Sequence, residues 1–273
     1  MSSLFSEAIT LLESGSARFS IGLEQTENGQ IGHLHFTYPQ RHNIIDLQGW
    51  QSLPNALDRL ADSADMRLII LRGTGGRAFV AGADIAQFDE VFSGDSANQY
   101  ENATIAAFDA LAACPVPTLA AIEGFCLGGG LAIATCCDLR LARDDSVFGV
   151  PAAKLGLAYP PNATLRLTEL IGRSAANEIL FTAQQFDAQK ADALGLVNQL
   201  ARAADFEAML YKWATEIIAN APLSLQAAKF IMNNPQAKSA QVNKHLAACL
   251  QSEDYKEGRH AFAEKRKPIF HGQ

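Results

Sequence analysis

The chain has 273 residues, of which 48% are apolar, 19% are charged and 8% are aromatic. This composition is typical of a globular protein, and it excludes a disordered chain, a fibrous repeat and a disulfide-stapled mini-protein. With 22 basic against 29 acidic residues the formal net charge is −7, which argues against a protein that binds duplex nucleic acid.

The cysteines and the N-terminal segment indicate the cellular compartment in which the protein is expected. Five cysteines without zinc-type spacing indicate free thiols in a reducing compartment. The first residues include Glu7 and Glu13 and have no basic start, which argues against a secretory or transit signal. The longest stretch without charged residues, 124–137, is shorter than the ~20 residues that a membrane helix needs. The sequence therefore predicts a soluble, cytoplasmic protein with no membrane partner.

The first third of the chain predicts a helix, a hairpin, a second helix and a buried strand. Residues 1–16 have the apolar spacing of a short amphipathic helix. Residues 19–25 and 30–38 alternate apolar and polar side chains around an Asn-Gly pair, which is typical of a β-hairpin. A helical period then runs over 46–61, and the apolar run 66–73 predicts a strand.

The rest of the chain alternates strands with helices and then becomes helical. A helix is predicted over 97–113, between glycine-rich loops, and buried strands are predicted at PTLAAIEG and DLRLA. From about Ala163 the apolar spacing is helical almost to the end. This order predicts an α/β body over 1–200 and a helical region over 201–273. The amphipathic helices of that region would pack on the body or on another subunit.

A dinucleotide-binding turn is one interpretation of the first glycine-rich loop. Gly73-x-Gly75-x-x-Ala78 follows a predicted strand, as such a fingerprint requires. The residues after it form a loop instead of opening a helix, and the expected acidic residue is missing. A strand-ending turn is therefore the favoured interpretation.

Two further glycine-bearing segments each lie where a strand meets a helix. They are Ala81-Gly82-Ala83-Asp84-Ile85 and the segment that contains Gly128-Gly129-Gly130. Unpaired backbone N–H groups at such junctions favour negative charge, and two that converge would form an oxyanion hole. Alternatively, the three glycines permit close packing of a helix on a strand. The spacing alone leaves both alternatives open.

The chain resembles the crotonase (enoyl-CoA hydratase/isomerase) superfamily from about residue 19 to 270. The resemblance is carried, in order, by AFVAGADIAQF (78–88), PVPTLAAIEGFCLGGGLAIATCCDLRLA (115–142), FGVPAAKLGL (148–157) and SEDYKEGRHAFAEKRKPIF (252–270). It implies a spiral of ββα turns with a C-terminal helical region, assembled as homotrimers or dimers of trimers. It further implies an acyl-CoA substrate, with CoA as part of that substrate and no separate cofactor or metal.

The resemblance also implies roles for individual residues. The substrate carbonyl oxygen would lie between the backbone N–H groups of Ala83 and Gly129, which stabilise enolate-like charge. Arg41 and His42 match a stretch that lines the CoA site, and Phe262 and Lys265 match tail residues that approach the nucleotide, often from a neighbouring subunit. The implied substrate-binding residues are Arg41, His42, Ala81, Ala83, Asp84, Ile85, Gly129, Phe262 and Lys265.

Both positions at which the resemblance places the catalytic glutamates of the hydratases are alanine here, Ala132 and Ala152. Alanine neither accepts nor delivers a proton, so hydration by two glutamates is not expected. Tyr159 matches a pocket tyrosine of methylmalonyl-CoA decarboxylases, whose enolate forms by loss of carbon dioxide without a strong base. That subgroup carries histidine where this chain has Ala83. A catalytically silent CoA-binding or scaffold protein is the third interpretation.

Five polar residues have further interpretations. Tyr159 is either a catalytic residue or a boundary residue whose hydroxyl lies in water. Asp84 is expected to cap the helix after it, and Glu123 is a minor candidate for reaching the pocket. His33 and His35 share one face of a strand, which suits a metal, although an exposed edge pair is favoured because no third ligand is near.

Overall fold

Two sheets organise the part of the chain that the computed structural model describes, residues 9–84 and 96–273. The strands are β1 (Ile9–Leu12), β2 (Phe19–Thr26), β3 (Gly29–Phe36), β4 (Met66–Gly73), β5 (Ala78–Val80), β6 (Thr118–Ile122), β7 (Phe125–Leu127), β8 (Leu139–Arg143), β9 (Val147–Gly149), β10 (Phe186–Asp187) and β11 (Gln199–Ala201). The larger sheet has the order β1-β2-β3-β4-β6-β8-β11, and the smaller has the order β10-β9-β7-β5.

Helices alternate with strands or strand pairs through the body of the chain, and the last four helices follow one another. They are α1 (Leu47–Ala61), α2 (Ser96–Ala113), α3 (Gly129–Cys136), α4 (Pro161–Thr182), α5 (Ala188–Ala193), α6 (Phe206–Ile218), α7 (Pro222–Asn233), α8 (Ser239–Gln251) and α9 (Glu253–Glu264). Two short 3-10 turns, Pro39–Arg41 and Pro151–Leu155, complete the described elements. Helix α4 is interrupted at Gly172, where φ is 77°.

Three successive ββα turns, β4-β5-α2, β6-β7-α3 and β8-β9-α4, form the body. In each turn the first strand joins the larger sheet, the second joins the smaller sheet, and a helix follows. Strands β4, β6 and β8 are mutually parallel, and so are β5, β7 and β9. The predicted α/β fold with ββα turns and C-terminal helices is confirmed.

The apolar core lies on both faces of the larger sheet. One face packs against the smaller sheet and the surrounding helices through fully buried aromatic side chains, which are Phe36, Trp50, Phe79, Phe108 and Phe148. The other face is covered by α6, which buries Phe206, Leu210 and Ala214 against the strands. Helix α6 therefore packs on the body, although it falls in the predicted C-terminal region.

The last two helices bury little of their surface. Helix α8 has no buried residue, and α9 buries Asp254 and Ala261. The Asp254 carboxylate accepts the N–H groups of His271 at 2.7 Å and Gly272 at 2.8 Å, which ties the tail to the start of α9. The predicted role of residues 201–273 in assembly stays a prediction.

Two sequence-based predictions outside the site are wrong. In the segment 1–16, for which a helix is predicted, Ile9–Leu12 forms an edge strand antiparallel to β2. Its β-branched and apolar residues suit a half-buried strand. Residues 1–8 lie outside the described residues. The histidine pair does not lie at an edge, because β3 runs between β2 and β4. His33 is 3% exposed, and its Nε2 lies 2.8 Å from Glu24 Oε2.

Three general features of the described residues complete the fold. All five cysteines are free thiols, four of them buried. Burial raises the pKa of the Cys136 thiol to about 12. Within residues 9–84 and 96–273, no three or more histidine, cysteine or acidic side chains are placed to hold a metal ion. No helix in these ranges has the length and apolar character to cross a membrane.

Candidate active site

Two loops of the smaller sheet meet at the centre of the candidate site. Strand β5 ends at Val80 and β7 ends at Leu127, and the two strands are parallel neighbours. Their carboxyl ends therefore lie side by side, which brings the loop after β5 against the loop that opens α3. A Cβ atom added to Gly82 would lie 3.2 Å from the Leu127 carbonyl oxygen and 3.5 Å from the Gly129 nitrogen. The loops are in direct contact.

Each loop carries one backbone N–H for which the described residues supply no acceptor. Ile45 forms a parallel bridge with Ala83, in which the Ile45 N–H donates to Gly82 and the Asp84 N–H donates to Ile45, both at 2.9 Å. The Ala83 N–H takes no part in the hydrogen bonds of this bridge. Gly129 is the first residue of α3, where an N–H has no intrahelical acceptor. Within the described part of the chain, neither N–H has a hydrogen-bond acceptor.

The three consecutive glycines have different structural reasons. Gly128 has φ 50° and ψ −116°, a backbone conformation that other residues rarely adopt. A Cβ atom on Gly129 would lie 3.0 Å from Trp50 Cζ2, and one on Gly130 would lie 2.0 Å from the Val80 carbonyl oxygen. Close packing therefore requires the third glycine, while the second packs tightly and has an N–H without an acceptor among the described residues. The packing alternative from the sequence is therefore observed at Gly130, and the oxyanion-hole alternative stays a prediction for Gly129.

A cavity of about 330 Å³ opens beside these loops. Its walls are largely apolar, and the residues that line it are Trp50, Ala81, Gly82, Ala83, Tyr100, Glu101, Thr104, Phe108, Gly128, Gly129, Pro151, Ala152, Leu155, Leu157, Ala158, Tyr159, Pro160 and Pro161. Ala83 and Gly129, the two residues that carry these N–H groups, both belong to this wall. An apolar cavity with a few polar groups is the usual form of a small-molecule site.

The two positions at which the resemblance places glutamates differ in their relation to the cavity. Ala152 lies on the second 3-10 turn and lines the wall. Ala132 lies in α3 and is fully buried in the core. Neither side chain can take part in proton transfer, as the sequence predicts.

Tyr159 has a specific partner in the wall. Its hydroxyl donates to the Gly128 carbonyl oxygen at 3.1 Å, and the same oxygen accepts the Ala132 N–H at 3.1 Å. Because the peptide between Gly128 and Gly129 is planar and trans, a carbonyl held towards Tyr159 turns the Gly129 N–H to the opposite side. Burial raises the Tyr159 pKa well above 10, so the hydroxyl remains a donor at neutral pH. Tyr159 is partly buried, as expected for a boundary residue, but its hydroxyl has a partner within the protein; a catalytic role of Tyr159 stays a prediction.

Ion pairs hold the loop after β5 from outside the cavity. The Asp84 carboxylate, on a residue 4% exposed, lies 3.4 Å from Arg18 and 3.6 Å from Arg41. Arg18 also contacts Asp46, which caps α1, at 2.6 Å. These contacts position the backbone next to Ala83. The expected capping by Asp84 and the expected contact of Ile85 fall on 85–95, which lie outside the described residues.

The predicted CoA segment runs directly beside this loop. The His42 carbonyl oxygen accepts the Ala81 N–H at 3.0 Å, and the Arg41 side chain is about half exposed. Asn43 is fully buried: its amide nitrogen donates to the Ala78 carbonyl at 2.8 Å, and its amide oxygen accepts the Tyr38 N–H. The structure therefore leaves Arg41 open to solvent and makes Asn43 a fixed support.

Several predicted residues lie away from the cavity. Phe262 is 88% exposed on α9, and Lys265 ends that helix with φ 56°; neither lines the cavity of its own chain. The suggestion that Glu123 reaches the pocket is wrong, because Glu123 does not line the cavity. Its carboxylate instead forms ion pairs with Arg72 at 2.7 Å and with Arg143 at 3.0 Å. The sequence does not reveal that these arginines face it.

Sequence reasoning misses the wall that α2 contributes. Tyr100, Glu101, Thr104 and Phe108 line the cavity from this helix. The last three follow Tyr100 by one, four and eight residues, which places all four on one face of a helix. This spacing can be detected in the sequence. No motif marks that face as part of a site, because it reaches the cavity only through packing of α2 on α1.

Comparisons with known proteins agree with this geometry. The family model described as enoyl-CoA hydratase/isomerase matches residues 26–273. The chain is 32% identical to the crotonyl-CoA hydratase of Syntrophomonas wolfei over 92% of its own length and 97% of that protein. It is 29% identical to the mitochondrial Delta(3,5)-Delta(2,4)-dienoyl-CoA isomerase of Dictyostelium discoideum, over 91% and 90% of the two chains.

A solved structure shows the same fold along the chain. The crystal structure of an enoyl-CoA hydratase/carnithine racemase from Magnetospirillum magneticum matches with a TM-score of 0.88 and 34% identity, covering 94% of this chain and 97% of that one. The match includes the three ββα turns as well as the C-terminal helices. From residue 26 onward, sequence and fold agree, and the chain belongs to the enoyl-CoA hydratase/isomerase family.

Proposed function

We propose that this protein is an acyl-CoA enzyme that stabilises an enolate on the thioester oxygen between the N–H groups of Ala83 and Gly129. One observation carries the proposal: two adjacent loops line a single apolar cavity, and each has a backbone N–H without an acceptor among the described residues. Donors fixed by the fold need no reorganisation when charge develops, and one such donor contributes about 2.7–4 kcal/mol to transition-state stabilisation. The family membership supplies the substrate class.

The CoA moiety would lie along the segment that packs against the loop after β5. Arg41 offers a half-exposed guanidinium, which suits a phosphate, and His42 is its neighbour in the same turn. Ala81 lines the cavity beside the hole, where the acyl chain and pantetheine arm would pass. Phe262 and Lys265 would act from a neighbouring copy, since neither lines the cavity of its own chain.

Assembly as a trimer or a dimer of trimers is part of the proposal. Helix α8 buries none of its residues within its own chain. Helices α8 and α9 together expose large apolar side chains, which are Leu246, Leu250, Tyr255 and Phe262. Burial of such side chains between copies would lower the free energy of the assembly. Sedimentation should give three or six chains per particle, and a monomer at micromolar concentration would contradict this part of the proposal.

The proposed reaction is enolate chemistry other than hydration by two glutamates. Methyl groups at Ala132 and Ala152 replace both implied proton-transfer groups. Decarboxylation of a malonyl-type thioester is the second candidate, because it forms an enolate without a base and because Tyr159 lies in the cavity wall. The Tyr159 hydroxyl already donates to Gly128, which limits its role towards a substrate carboxylate.

One assay separates these reactions. Purified protein is incubated with crotonyl-CoA, methylmalonyl-CoA and ethylmalonyl-CoA, and the product masses are followed. We expect hydration of crotonyl-CoA to be slow, and rapid hydration would show that the missing glutamates are dispensable. Release of carbon dioxide would support the decarboxylase candidate. Measurable CoA binding with no turnover of any thioester would instead favour a scaffold protein.

A further inference from the structure

We propose that Glu101 is the residue that moves protons to and from the α-carbon of the bound acyl-CoA. This inference rests on the proposed function, because it needs the thioester oxygen in the hole formed by Ala83 and Gly129. Glu101 would replace, from helix α2, the carboxylates that are absent at Ala132 and Ala152.

The hydroxyl groups of the cavity wall are already engaged. Tyr159 donates to the Gly128 carbonyl, and Thr104 donates to the Glu101 carbonyl at 2.8 Å. The Tyr100 hydroxyl accepts the indole N–H of Trp50 at 2.8 Å, and burial raises the Tyr100 pKa above its ordinary value. These groups fix the wall, and none of them is a ready base.

The Glu101 carboxylate differs from every other polar group of the wall. Among the described residues that line the cavity, it is the one carboxylate. It forms no hydrogen bond and no ion pair with any described residue, whereas Asp84 and Glu123 are each held by two arginines. A carboxylate that has no partner among the described residues, and that lines the same cavity as Ala83 and Gly129, is suited to act as a general base.

The packing of α2 determines where Glu101 points. Tyr100, Thr104 and Phe108 are 5%, 7% and 1% exposed, so the buried face of the helix is fixed. The Phe108 ring packs edge-on against Trp50 with centroids 5.5 Å apart. Glu101 follows Tyr100 directly and therefore lies at the margin of this buried face, where it both lines the cavity and reaches solvent.

The proton-transfer step balances with the substrate alone. A carboxylate oxygen of Glu101 takes a proton from the α-carbon, and the C–H electron pair forms the C=C bond of the enolate. The carbonyl π pair moves onto the thioester oxygen, where the two N–H groups hold the charge. Return of a proton from the Glu101 carboxylic acid restores the thioester. Because Glu101 is exposed, its proton can exchange with water before it returns.

Deuterium exchange into butyryl-CoA tests this step without a chosen overall reaction. Wild-type protein in D₂O should incorporate up to two deuterons at the α-carbon, measured by mass spectrometry. Glu101→Gln should lower the exchange rate at least about 100-fold, with an unchanged Kd for butyryl-CoA by calorimetry. Asp109→Asn is the matched control, because Asp109 is a carboxylate of the same helix that contacts Asn162 and does not line the cavity. It should exchange like the wild type.

Each contrary result has a distinct meaning. Equal exchange by Glu101→Gln and the wild type overturns the assignment of Glu101, while loss of exchange in Gly129→Pro would leave the proposed function standing. Binding of butyryl-CoA without exchange by the wild type overturns Glu101 as a base. Failure of the wild type to bind butyryl-CoA overturns the proposed function itself and this inference with it.

Discussion

Replacement of Gly129 by proline removes one of the two amide protons on which the proposed function depends. The Gly129 N–H has no acceptor among the described residues, and Gly129 is the first residue of α3. Proline at this position therefore breaks no helical hydrogen bond. Its Cδ atom takes the place of the amide hydrogen, so the oxyanion loses that donor.

The matched control is Gly129→Ala. A Cβ atom here would lie 3.0 Å from Trp50 Cζ2 and 3.1 Å from Cη2, so the indole must move by a few tenths of an ångström in both variants. Overpacking of this kind costs about 1–3 kcal/mol of folding free energy. Alanine keeps the N–H and proline does not, so the comparison of the two isolates the donor from the packing.

The expected difference follows from the worth of one oxyanion donor. Loss of such a donor costs about 2.7–4 kcal/mol, which is about 10²–10³-fold in kcat. The assay is deuterium exchange into butyryl-CoA or turnover of whichever thioester proves to be a substrate, with thermal unfolding as the check on folding. Rates for folded Gly129→Pro within about threefold of Gly129→Ala would refute the assigned role.

Three further outcomes are expected. Tyr159→Phe removes one hydrogen bond worth about 1 kcal/mol and should lower kcat about fivefold with KM unchanged; an unchanged kcat contradicts a positioning role. Gly130→Ala should lower the free energy of unfolding in urea by about 3 kcal/mol, because the alanine Cβ would lie 2.0 Å from the Val80 carbonyl oxygen. A variant as stable as the wild type would contradict the packing reason for this glycine. Hydrogen bonds from Arg266 and from the Ile269 N–H lower the Glu257 pKa from 4.5 to about 2, so these contacts stabilise the fold above pH 4.5 and lose that effect as pH falls towards 2. Arg266→Met should raise this pKa towards 4.5 in an NMR titration, with the Ile269 N–H still lowering it in part, and a pKa still near 2 would contradict the pairing.

Local patterns predict much of the fold. The hairpin expected over 19–38 is observed as β2 and β3, with all eight residues of β2 paired across. The helix expected over 46–61 is observed at Leu47–Ala61, and Asp46 accepts the Gly49 N–H as its cap. The alternation of apolar and polar residues, the turn residues and the helix caps all depend on residues that are close in sequence. These features can therefore be predicted from a single sequence.

The failures involve partners that are distant in sequence. Ile9–Leu12 has spacing that suits either a helix or a strand, and its pairing with β2 decides the outcome. Glu123 is adjacent to a site motif, but it is bound by Arg72 from a neighbouring strand and by Arg143 at the end of another. Such cross-strand contacts depend on register, which the residues around Glu123 do not encode.

The candidate site divides in the same way. The loops of Ala83 and Gly129 are predictable because glycines and small residues at strand–helix junctions have a local backbone cause. Glu101 and the contact between Tyr159 and Gly128 are not, because they need the packing of α2 and of the second 3-10 turn around the cavity. The alanines at 132 and 152 are evident in the sequence, whereas the carboxylate that we propose in their place becomes a candidate only through its position in the cavity wall.

The most direct test of the central claim is a crystal structure of the protein with a bound acyl-CoA. The quantities of interest are the distances from the thioester oxygen to the Ala83 nitrogen and to the Gly129 nitrogen. The proposed function requires both to lie within about 2.7–3.1 Å. A thioester oxygen bonded elsewhere, with either nitrogen beyond about 3.5 Å, would contradict it.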